Sequence, residues 1–456
     1  MGVFRYKSLV CWFLLTSILF IFSWLLVLRS AAISPSKSFD FHPQEGGETT
    51  PLMEKRCEYE DHHHQILKVF MYDLPPEFHF NLLGWKKPHP DASVWPNIVT
   101  KIPQYPGGLN LQHSVEYWLT LDLLHSEISD SPRRAAVRVR NSSEADVVFV
   151  PFFSSISYGR FSKLKPGESR STNVVLQEKL VRFLRDQVEW KRSGGIDHVV
   201  VAHHPNSLLH ARTKLWPAIF VLSDFGRYPP SVANVDKDVV APYKHVIRSF
   251  VNDSSGFDDR PILLYFQGAI YRKDGGAIRQ ELYYMLKDEP DVHFAFGSVQ
   301  KNGINEASTG MRSSKFCLNM AGDTPSSNRL FDAIASHCVP IVISDEVELP
   351  YEDVLDYSQF CVFVRTSDAL KKGFVMNVAR NVVGRDEWTR MWTRLKEVQQ
   401  FYEFRFPSKE NDAVQMIWRA VSRKVPNIRR KIHRARRFSD DVEFKSNTFS
   451  VPKIFG

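Results

Sequence analysis

The residues that could do chemistry are concentrated in one stretch of the second half of the chain, KFCLNMAGDTPSSNRLFDAI, which begins at Lys315. Its apolar start predicts a strand that ends at Met320, and the turn residues Gly-Asp-Thr follow it. Thr324 is then expected to cap a helix whose first residue is Pro325, where a missing backbone N–H costs nothing. The free N–H groups and the positive dipole end of such a helix start suit a diphosphate, although most capped helices bind no ligand.

The side chains next to this expected helix start add hydrogen-bond donors, a cation and an acid. Ser326 and Ser327 bring hydroxyl groups, and Arg329 can form a bidentate, charge-assisted bond with a phosphate. Asp332 lies further along the helix, where a carboxylate can accept hydrogen bonds from ribose hydroxyls. Because ligands of open α/β sheets bind beyond the carboxyl ends of the strands, the stretch predicts a nucleotide site.

Basic side chains of a second stretch could join the same site. Arg272 and Lys273 follow the strand-like run PILLYFQG, and Gly276 beside them permits a close approach of the backbone. Arg279 lies in the helix-like run that comes next. We expect these three cations to contact phosphate, and a solvated turn at RKDGG is the alternative.

Alternating strands and helices must position these residues. Strand-like runs in the first half include LKVFMYDLP, ADVVFVPFF, DHVVVAHHP and AIFVLSDFG, and those in the second half include PILLYFQG, DVHFAFG, SSKFCLNM, VPIVISD and FCVFVR. Helix-like runs lie between them, which predicts two α/β halves whose parallel sheets are covered on both faces. A polar stretch at residues 252–260 is typical of a linker between the halves.

The N-terminus predicts a membrane anchor. Residues 8–28 carry no charge and, at about 1.5 Å per residue, are long enough to cross the roughly 30 Å hydrocarbon layer. Arg5 and Lys7 precede the run, which places the short N-terminus in the cytosol and the bulk of the chain in the lumen. A cleaved signal peptide is the alternative. The topology argues against a nucleic-acid partner, even though the formal net charge is +8.

A luminal location also decides how the cysteines and two asparagines are interpreted. Asn141 and Asn252 begin the sequons NSS and NDS and are predicted glycosylation sites. The cysteine spacings fit no metal template, and their pairing cannot be read from the sequence. Four cysteines would lie where disulfides persist, namely Cys57, Cys317, Cys338 and Cys361.

Several pieces of the sequence resemble one protein family. Residues 315–357 are similar to the exostosin-like glycosyltransferases (GT47). Other pieces resemble the plant cell-wall branch of that family, namely VFMYDLPPEFHF, QHSVEYW, EADVVFVPFFSS, DHVVVAHHPN, VLSDFGR, KDVVAPY and FQGAIYRKDGGAIRQEL. KDVVAPY and YRKDGG look most like the group of arabinan-type arabinosyltransferases. The resemblance covers residues 68–425.

The resemblance implies a GT-B fold, with two Rossmann-like domains that face a cleft and a nucleotide held mainly by the C-terminal domain. It also implies inverting transfer from a UDP-sugar without a bound metal. The segment DEVE after VPIVIS contains no D-x-D, so no metal or other cofactor is expected. Glu346 of that segment is expected to recognise hydroxyls of the donor sugar, or else to be a surface acid.

An inverting reaction needs a base that takes the proton of the acceptor hydroxyl. The base should come from the cleft face of the N-terminal domain. Each candidate borders an apolar element and could instead be a structural hydrogen-bonding group. The candidates are His113, Glu116, Asp224, His203 and His204.

The expected organisation has six segments. They are a cytosolic tail (1–7), a transmembrane signal-anchor (8–28), a stem (29–65), an N-terminal acceptor-side domain (66–255), a C-terminal nucleotide-sugar-binding domain (256–384) and a C-terminal helical basic tail (385–456). The basic run NIRRKIHRARRF of the last segment is either a solvated helix face or a surface that attracts an acidic acceptor.

These observations together predict a single-pass type II membrane enzyme of the Golgi with a luminal catalytic part. It would move a sugar, with arabinose as the candidate, from a UDP-sugar to a cell-wall polysaccharide such as pectin. The expected partners are the UDP-sugar, the polysaccharide, the Golgi membrane and other glycosyltransferases in a homo- or hetero-oligomer. A non-catalytic scaffold subunit of a Golgi glycosyltransferase complex is the alternative.

Overall fold

Two parallel sheets organise the chain in a computed structural model, which describes residues 66–129, 133–272, 276–297 and 302–437. The first sheet has six strands in the order β2-β1-β3-β4-β5-β6, and every neighbouring pair is parallel. Its strands are β1 (Leu67–Met71), β2 (Ala136–Val139), β3 (Val147–Val150), β4 (His198–Val201), β5 (Ile219–Leu222) and β6 (Val239–Val240).

The second sheet has five parallel strands in the order β11-β10-β9-β7-β8. They are β7 (Ile262–Gly268), β8 (Val292–Phe296), β9 (Ser314–Met320), β10 (Val339–Ile343) and β11 (Val362–Val364). Every residue of β3, β4, β5 and β10 is buried. Helices cover both faces of such sheets, which explains why these strands are continuous apolar runs rather than alternating ones.

Helices connect the strands and lie on the sheets. Those of the first half are α1 (Val115–Ser126), α2 (Ser154–Phe161), α3 (Thr172–Asp186) and α4 (Val188–Ser193). Those of the second half are α5 (Ala277–Leu286), α6 (Gly303–Arg312), α7 (Arg329–Ala335), α8 (Thr366–Ala369), α9 (Phe374–Asn377), α10 (Arg385–Val398) and α11 (Ala413–Arg436).

The α/β class and the two parallel sheets confirm the sequence prediction. Each of the nine quoted strand-like runs contains a strand at its apolar part. Two strands were not predicted: β2, whose apolar run is interrupted by Arg138, and β6, which has only two residues. The chain between β3 and β4 forms α3 and α4 as separate helices, because Gln187 between them has an extended backbone.

The helices that follow residue 384 pack on both sheets. Trp388 of α10 is fully buried and donates its indole N–H to the carbonyl of Lys315 beside the second sheet, over 2.8 Å. Trp418 of α11 is fully buried against Phe149 of the first sheet, with ring centroids 5.6 Å apart. The chain therefore returns to its first half after completing the second.

Some predicted segments lie outside the described residues. These are the cytosolic tail (1–7), the anchor (8–28), the stem (29–65) and the part of the predicted tail after residue 437. Within the described part of the chain, no helix has the length and apolar character needed to cross a bilayer. The predicted boundary between residues 66–255 and 256–384 falls between β6 and β7.

Candidate active site

A cavity of about 220 Å³ lies where loops from the two sheets meet. His204 follows β4, and Tyr243 follows β6. From the second sheet, Arg272 follows β7 and Gly322 follows β9. The carboxyl ends of parallel strands share one edge of a sheet, which brings these residues of distant sequence position to one place.

A second cavity of about 290 Å³ is lined by some of the same residues. Both cavities are lined by Gln112, Arg272, Asn328 and Arg329. The remaining wall of the second cavity is largely apolar, and it includes Val246, Ile247, Ile304, Ala307 and Met311. An apolar slot with guanidinium groups at its junction with a polar cavity suits a ligand that has a flat ring at one end and an anion in the middle.

The loop after β9 does not fold as predicted. The predicted helix start at Thr324 and Pro325 is wrong, because α7 begins at Arg329 and its N-cap residue, Asn328, makes no side-chain cap. The loop is instead held across the molecule: Gly226 of the first half lies so close to Pro325 that an added Cβ would come within 2.6 Å of the ring. This contact with the first half outweighs the local capping preference.

Ser326 links the two halves rather than pointing a free hydroxyl at a ligand. Its hydroxyl donates to Asp224, a buried residue beyond the end of β5. Because that proton is used, the hydroxyl of Tyr243 donates to the Ser326 oxygen over 2.7 Å. Ser327 also lines the cavity, and its hydroxyl oxygen accepts a hydrogen bond from the backbone N–H of Arg329, 3.4 Å away.

Arg329 lies at the junction of the two cavities, and its side chain makes one hydrogen bond to the residues that the structure describes. Its Nε donates to the carbonyl of Gln267 over 2.9 Å, and its guanidinium lies over the Phe266 ring. A Cβ added to Gly268 would come within 2.0 Å of the terminal nitrogen of Arg329, so a larger residue at this position would displace the guanidinium. Burial lowers the pKa of Arg329. Because the hydrogen bond to Gln267 uses Nε, the two terminal nitrogens of Arg329 remain available for an anion.

Arg279 is a buried support of the same loop. Its guanidinium donates three hydrogen bonds, to the carbonyls of Ala269, Met320 and Ala321. Burial, reinforced by Arg329 and Arg272 nearby, lowers the pKa of Arg279 to about 9. Arg279 lines the smaller cavity, but most of its hydrogen-bonding capacity holds the ends of β7 and β9 together.

Arg272 is half-exposed and lines both cavities. It forms an ion pair of 3.0 Å with Asp323 of the loop after β9. A Cβ added to Gly276 would come within 2.1 Å of the Arg272 Cβ, which bears out the close approach expected of the glycine. Lys273 lies outside the described residues.

Asp332 lines the larger cavity, yet its carboxylate is already engaged. One oxygen accepts from the backbone N–H of Val246 at 2.8 Å, and the other from the side-chain amide of Asn328 at 2.7 Å. Burial raises the pKa of Asp332, and the backbone hydrogen bonds oppose that rise. The acid thus fastens the chain between the sheets to α7. The oxygen that accepts from Val246 also accepts from the backbone N–H of Ile247 at 3.5 Å, so it is the oxygen bonded to Asn328 that keeps a lone pair for a ligand hydroxyl.

Three histidines of the first half cluster at the cavity. His113 and His204 line it, with ring centroids 4.6 Å apart. His203 is completely buried behind them, and its Nδ1 lies 3.0 Å from Nδ1 of His113. The cluster brings two of the predicted base candidates, His113 and His204, to the cavity that Arg329 lines.

Three acidic candidates for the site line neither of these two cavities. Glu116 is fully buried in the first turn of α1, where one carboxylate oxygen accepts the backbone N–H of Ser155 over 2.8 Å. Asp224 is buried and engaged with Ser326 and the backbone N–H of Gly226. Glu346 is exposed on the loop after β10 and lines neither cavity. Neither Glu116 nor Asp224 lines a cavity either.

The structure also bears on metal binding, glycosylation and disulfide bonds. In the described ranges, no group of three or more His, Cys, Asp or Glu side chains is arranged to hold a metal ion. Asn141 and Asn252 are both exposed. Cys317 of β9 and Cys338, just before β10, form a disulfide, and Cys361 is a buried free thiol.

Sequence reasoning missed several residues of the site. Tyr243, Gln112 and Asn328 were not singled out, although each lines a cavity. Tyr243 could have been found, because it follows the two valines of β6 and residues just beyond parallel strands face the ligand edge. Gln112 and Asn328 carry no such local signal.

Known proteins resemble this chain over most of its length. A family model described as the Exostosin GT47 domain matches residues 64–379. "Probable arabinosyltransferase ARAD1" of Arabidopsis thaliana is 40% identical over 383 residues, which are 81% of this chain and 81% of that protein. "Probable glucuronosyltransferase 47 A" of Physcomitrium patens is 24% identical and covers 79% of this chain and 76% of its own.

A third relative, "Probable glucuronosyltransferase GUT1" of Oryza sativa subsp. japonica, is 23% identical over 383 residues, covering 79% of this chain and 82% of its own. The family model spans well over half of the chain, and the Arabidopsis relative is similar through both sheets. On this evidence the chain belongs to the exostosin GT47 family of glycosyltransferases.

Proposed function

We propose that this chain is an inverting glycosyltransferase that transfers arabinose from a UDP-sugar to a cell-wall polysaccharide such as pectin. The choice of arabinose is supported by the Arabidopsis relative, whose printed name is an arabinosyltransferase and whose identity to this chain is 40%. The two parallel sheets act as the two Rossmann-like domains of a GT-B enzyme, with the cavities between them as its cleft. The catalytic part is luminal, on a type II anchor in the Golgi membrane.

The donor fits the two cavities in one orientation. The apolar slot of about 290 Å³ takes the uridine, and Asp332 on its wall accepts from ribose hydroxyls. The diphosphate lies at the junction, against Arg272 and Arg329. The sugar then extends into the cavity of about 220 Å³, which the histidine cluster lines from the first sheet.

Charge explains how such a site promotes transfer. When the bond between the anomeric carbon and the phosphate breaks, negative charge develops on the departing UDP, and preorganised cations stabilise it. Arg272, Arg279 and Arg329 converge here, and Asp323 pairs with the first of them. The site supplies this positive charge from its own side chains, and we propose that it needs no metal ion.

The observation that carries the proposal is the environment of Arg329. It projects into both cavities, has one backbone hydrogen bond, and lies beside two other arginines. Within the described part of the chain, no carboxylate forms an ion pair with its guanidinium. An arginine placed in this way is typical of a site that binds an anionic ligand.

A UDP titration of the purified luminal part tests the proposal. We expect micromolar affinity, and Arg329→Ala should weaken it about 10- to 100-fold, because a hydrogen bond to a charged group contributes about 1.5–3 kcal/mol. Arg329→Lys keeps the charge but loses the planar fork, and should recover part of the affinity. Arg390→Ala, which removes an exposed ion pair with Glu387, is the matched control and should bind as the unchanged protein does.

A screen of UDP-sugars for transfer or hydrolysis, with and without EDTA, identifies the donor. UDP-arabinose should be the preferred donor, and EDTA should leave most of the activity. A protein that fails to bind UDP would be the scaffold subunit rather than the enzyme. Activity that depends strictly on a divalent ion would contradict the metal-free mechanism.

A further inference from the structure

The histidine cluster has a defined hydrogen-bonding order. His113 ends the 3-10 turn Gly108–His113 and lines the smaller cavity. Its Nδ1 is 3.0 Å from Nδ1 of His203, and Nε2 of His203 is 3.2 Å from the carbonyl oxygen of Ala241. Among the described residues, Nε2 of His113 forms no hydrogen bond with another side chain.

This geometry fixes the protons on both rings. The carbonyl oxygen of Ala241 can only accept, so Nε2 of His203 carries a proton and donates it. Burial lowers the pKa of His203 to about 3, so this ring is neutral and its Nδ1 is an acceptor. Nδ1 of His113 must then carry the proton of the hydrogen bond between the rings. When His113 is neutral, its Nε2 is left with a free lone pair.

The surroundings keep His113 neutral in the free protein. The titratable rings packed against it are His203, His204 and Tyr243, with centroids 5.1, 4.6 and 5.0 Å away. Burial, with a smaller effect of the two histidines, holds the pKa of His113 well below its usual range. Burial likewise lowers the pKa of His204 to about 4 and raises that of Tyr243, so all three neighbours are uncharged near neutral pH.

The histidine cluster is also connected to the loop between β9 and α7. Tyr243 contacts the rings of His113 and His203 and donates to Ser326 over 2.7 Å. Ser326 lines the same cavity as Arg329. A diphosphate at Arg329 therefore brings negative charge toward the cluster, and a nearby anion favours the protonated imidazole. The basicity of His113 rises when the donor is bound.

We propose that Nε2 of His113 is the catalytic base and that His203 is the positioning residue that sets its tautomer. The inference rests on the proposed function. The oxygen of the acceptor hydroxyl forms a bond to the anomeric carbon while the bond from that carbon to the β-phosphate oxygen breaks. The electron pair of the broken bond leaves with UDP, and the hydroxyl proton moves to Nε2 of His113. The imidazolium then returns the proton to water.

His113→Asn tests the role of the base. The asparagine amide reaches the position of Nδ1 and can still donate to His203, but nothing replaces Nε2. We expect kcat for transfer to fall by about 10²- to 10⁴-fold, with UDP affinity and thermal stability unchanged. His210→Asn, a half-exposed histidine paired with Glu178, is the matched control and should retain full activity.

The pH profile separates a base from a merely structural residue. In the unchanged protein kcat should fall on the acid side, where the imidazole of His113 becomes protonated in the donor complex. His113→Asn should lose this acid limb, and its small residual rate should not depend on pH there. An unchanged profile in the variant would overturn the assignment.

His203 is tested by a pair of variants. His203→Leu removes the acceptor, which frees His113 to place its proton on Nε2, and should lower kcat without changing the KM for the donor. His203→Asn restores an acceptor oxygen near the position of Nδ1 and should recover most of the rate. Equal loss in both folded variants would overturn the tautomer argument.

The results distinguish this inference from the proposed function. Normal transfer by His113→Asn would remove His113 as the base and leave the glycosyltransferase intact. Failure of the unchanged protein to bind UDP would instead remove the proposed function, and the base assignment with it. Retained UDP binding with loss of transfer only in His113→Asn and His203→Leu supports both.

Discussion

Arg279 and Arg329 bring the same charge to the same cavity, but their hydrogen bonds give them different tasks. Arg279 donates to three backbone carbonyls and is almost fully buried. Arg329 donates to one carbonyl and keeps its terminal nitrogens for a ligand. Loss of Arg279 would remove hydrogen bonds to three carbonyls, whereas loss of the Arg329 side chain would remove one. The two positions therefore separate folding from binding.

Glu116 provides a prediction about stability and pH. One of its oxygens is buried with no hydrogen-bond partner among the described residues, and burial raises its pKa to about 7. A raised folded-state pKa contributes stability below the unfolded value, near 4.5, and that contribution is lost as the pH rises through about 7. Ionisation should cost the folded protein about 3 kcal/mol across this window.

Glu116→Gln should abolish that pH dependence, since an amide does not ionise. Thermal unfolding between pH 4.5 and 8 measures it: the unchanged protein loses stability relative to the variant as the pH rises. Glu168→Gln, which alters an exposed acid, should follow the unchanged protein. Parallel curves for Glu116→Gln and the unchanged protein would show that Glu116 stays ionised at little cost.

At the scale of elements, the loop between β9 and α7 shows how packing overrides local sequence preference. Thr324 and Pro325 have the types of a helix start, yet α7 begins at Arg329. The loop is drawn toward Asp224 and Gly226 of the first half. The resulting extended segment places Ser326 and Arg329 on the wall of one cavity.

The disulfide between Cys317 and Cys338 encloses this whole loop and α7. The two residues are 21 apart in sequence, and closing a loop of this size stabilises a fold by about 3 kcal/mol. Replacing both with alanine should lower the free energy of unfolding by about that amount and weaken UDP binding, which chemical denaturation and titration would measure.

Cys361→Ala is the control for this experiment, because it removes a buried thiol that is not paired. It should leave UDP binding unchanged. If the double alanine variant bound UDP with full affinity, the disulfide would contribute to stability alone and not to the geometry of the loop between β9 and α7.

At the scale of the molecule, the last helices join the two sheets into one unit. The described residues all belong to a compact unit that spans His63–Gly456. Trp418 of α11 donates its indole N–H to Asp122 of α1 over 3.1 Å, and Gln415 bonds the same acid. Burial raises the pKa of Asp122 to about 7, and Arg134 beside it opposes that rise. The described residues after 384 thus pack against both sheets.

The proposed membrane topology gives a prediction for the whole chain. If it holds, protease added to sealed Golgi vesicles should spare the large catalytic part and should digest it once detergent is added. The exposed positions of Asn141 and Asn252 make both accessible for glycosylation, so the double variant Asn141→Gln/Asn252→Gln should migrate faster on a gel. Digestion without detergent, or an unchanged migration, would contradict a luminal location.

The sequence by itself determined nine of the eleven described strands, the α/β class and the family, because apolar runs and motif residues are local signals. Only the tertiary structure decided where α7 begins and what each polar side chain does. Ser326 is hydrogen-bonded to Asp224, 102 residues away in sequence, and Asp332 is hydrogen-bonded to Val246, 86 residues away. His113 meets His203 across 90 residues. Such partners come together where the carboxyl ends of parallel strands gather, either within one sheet or between the two sheets, and no local pattern of residues encodes these contacts.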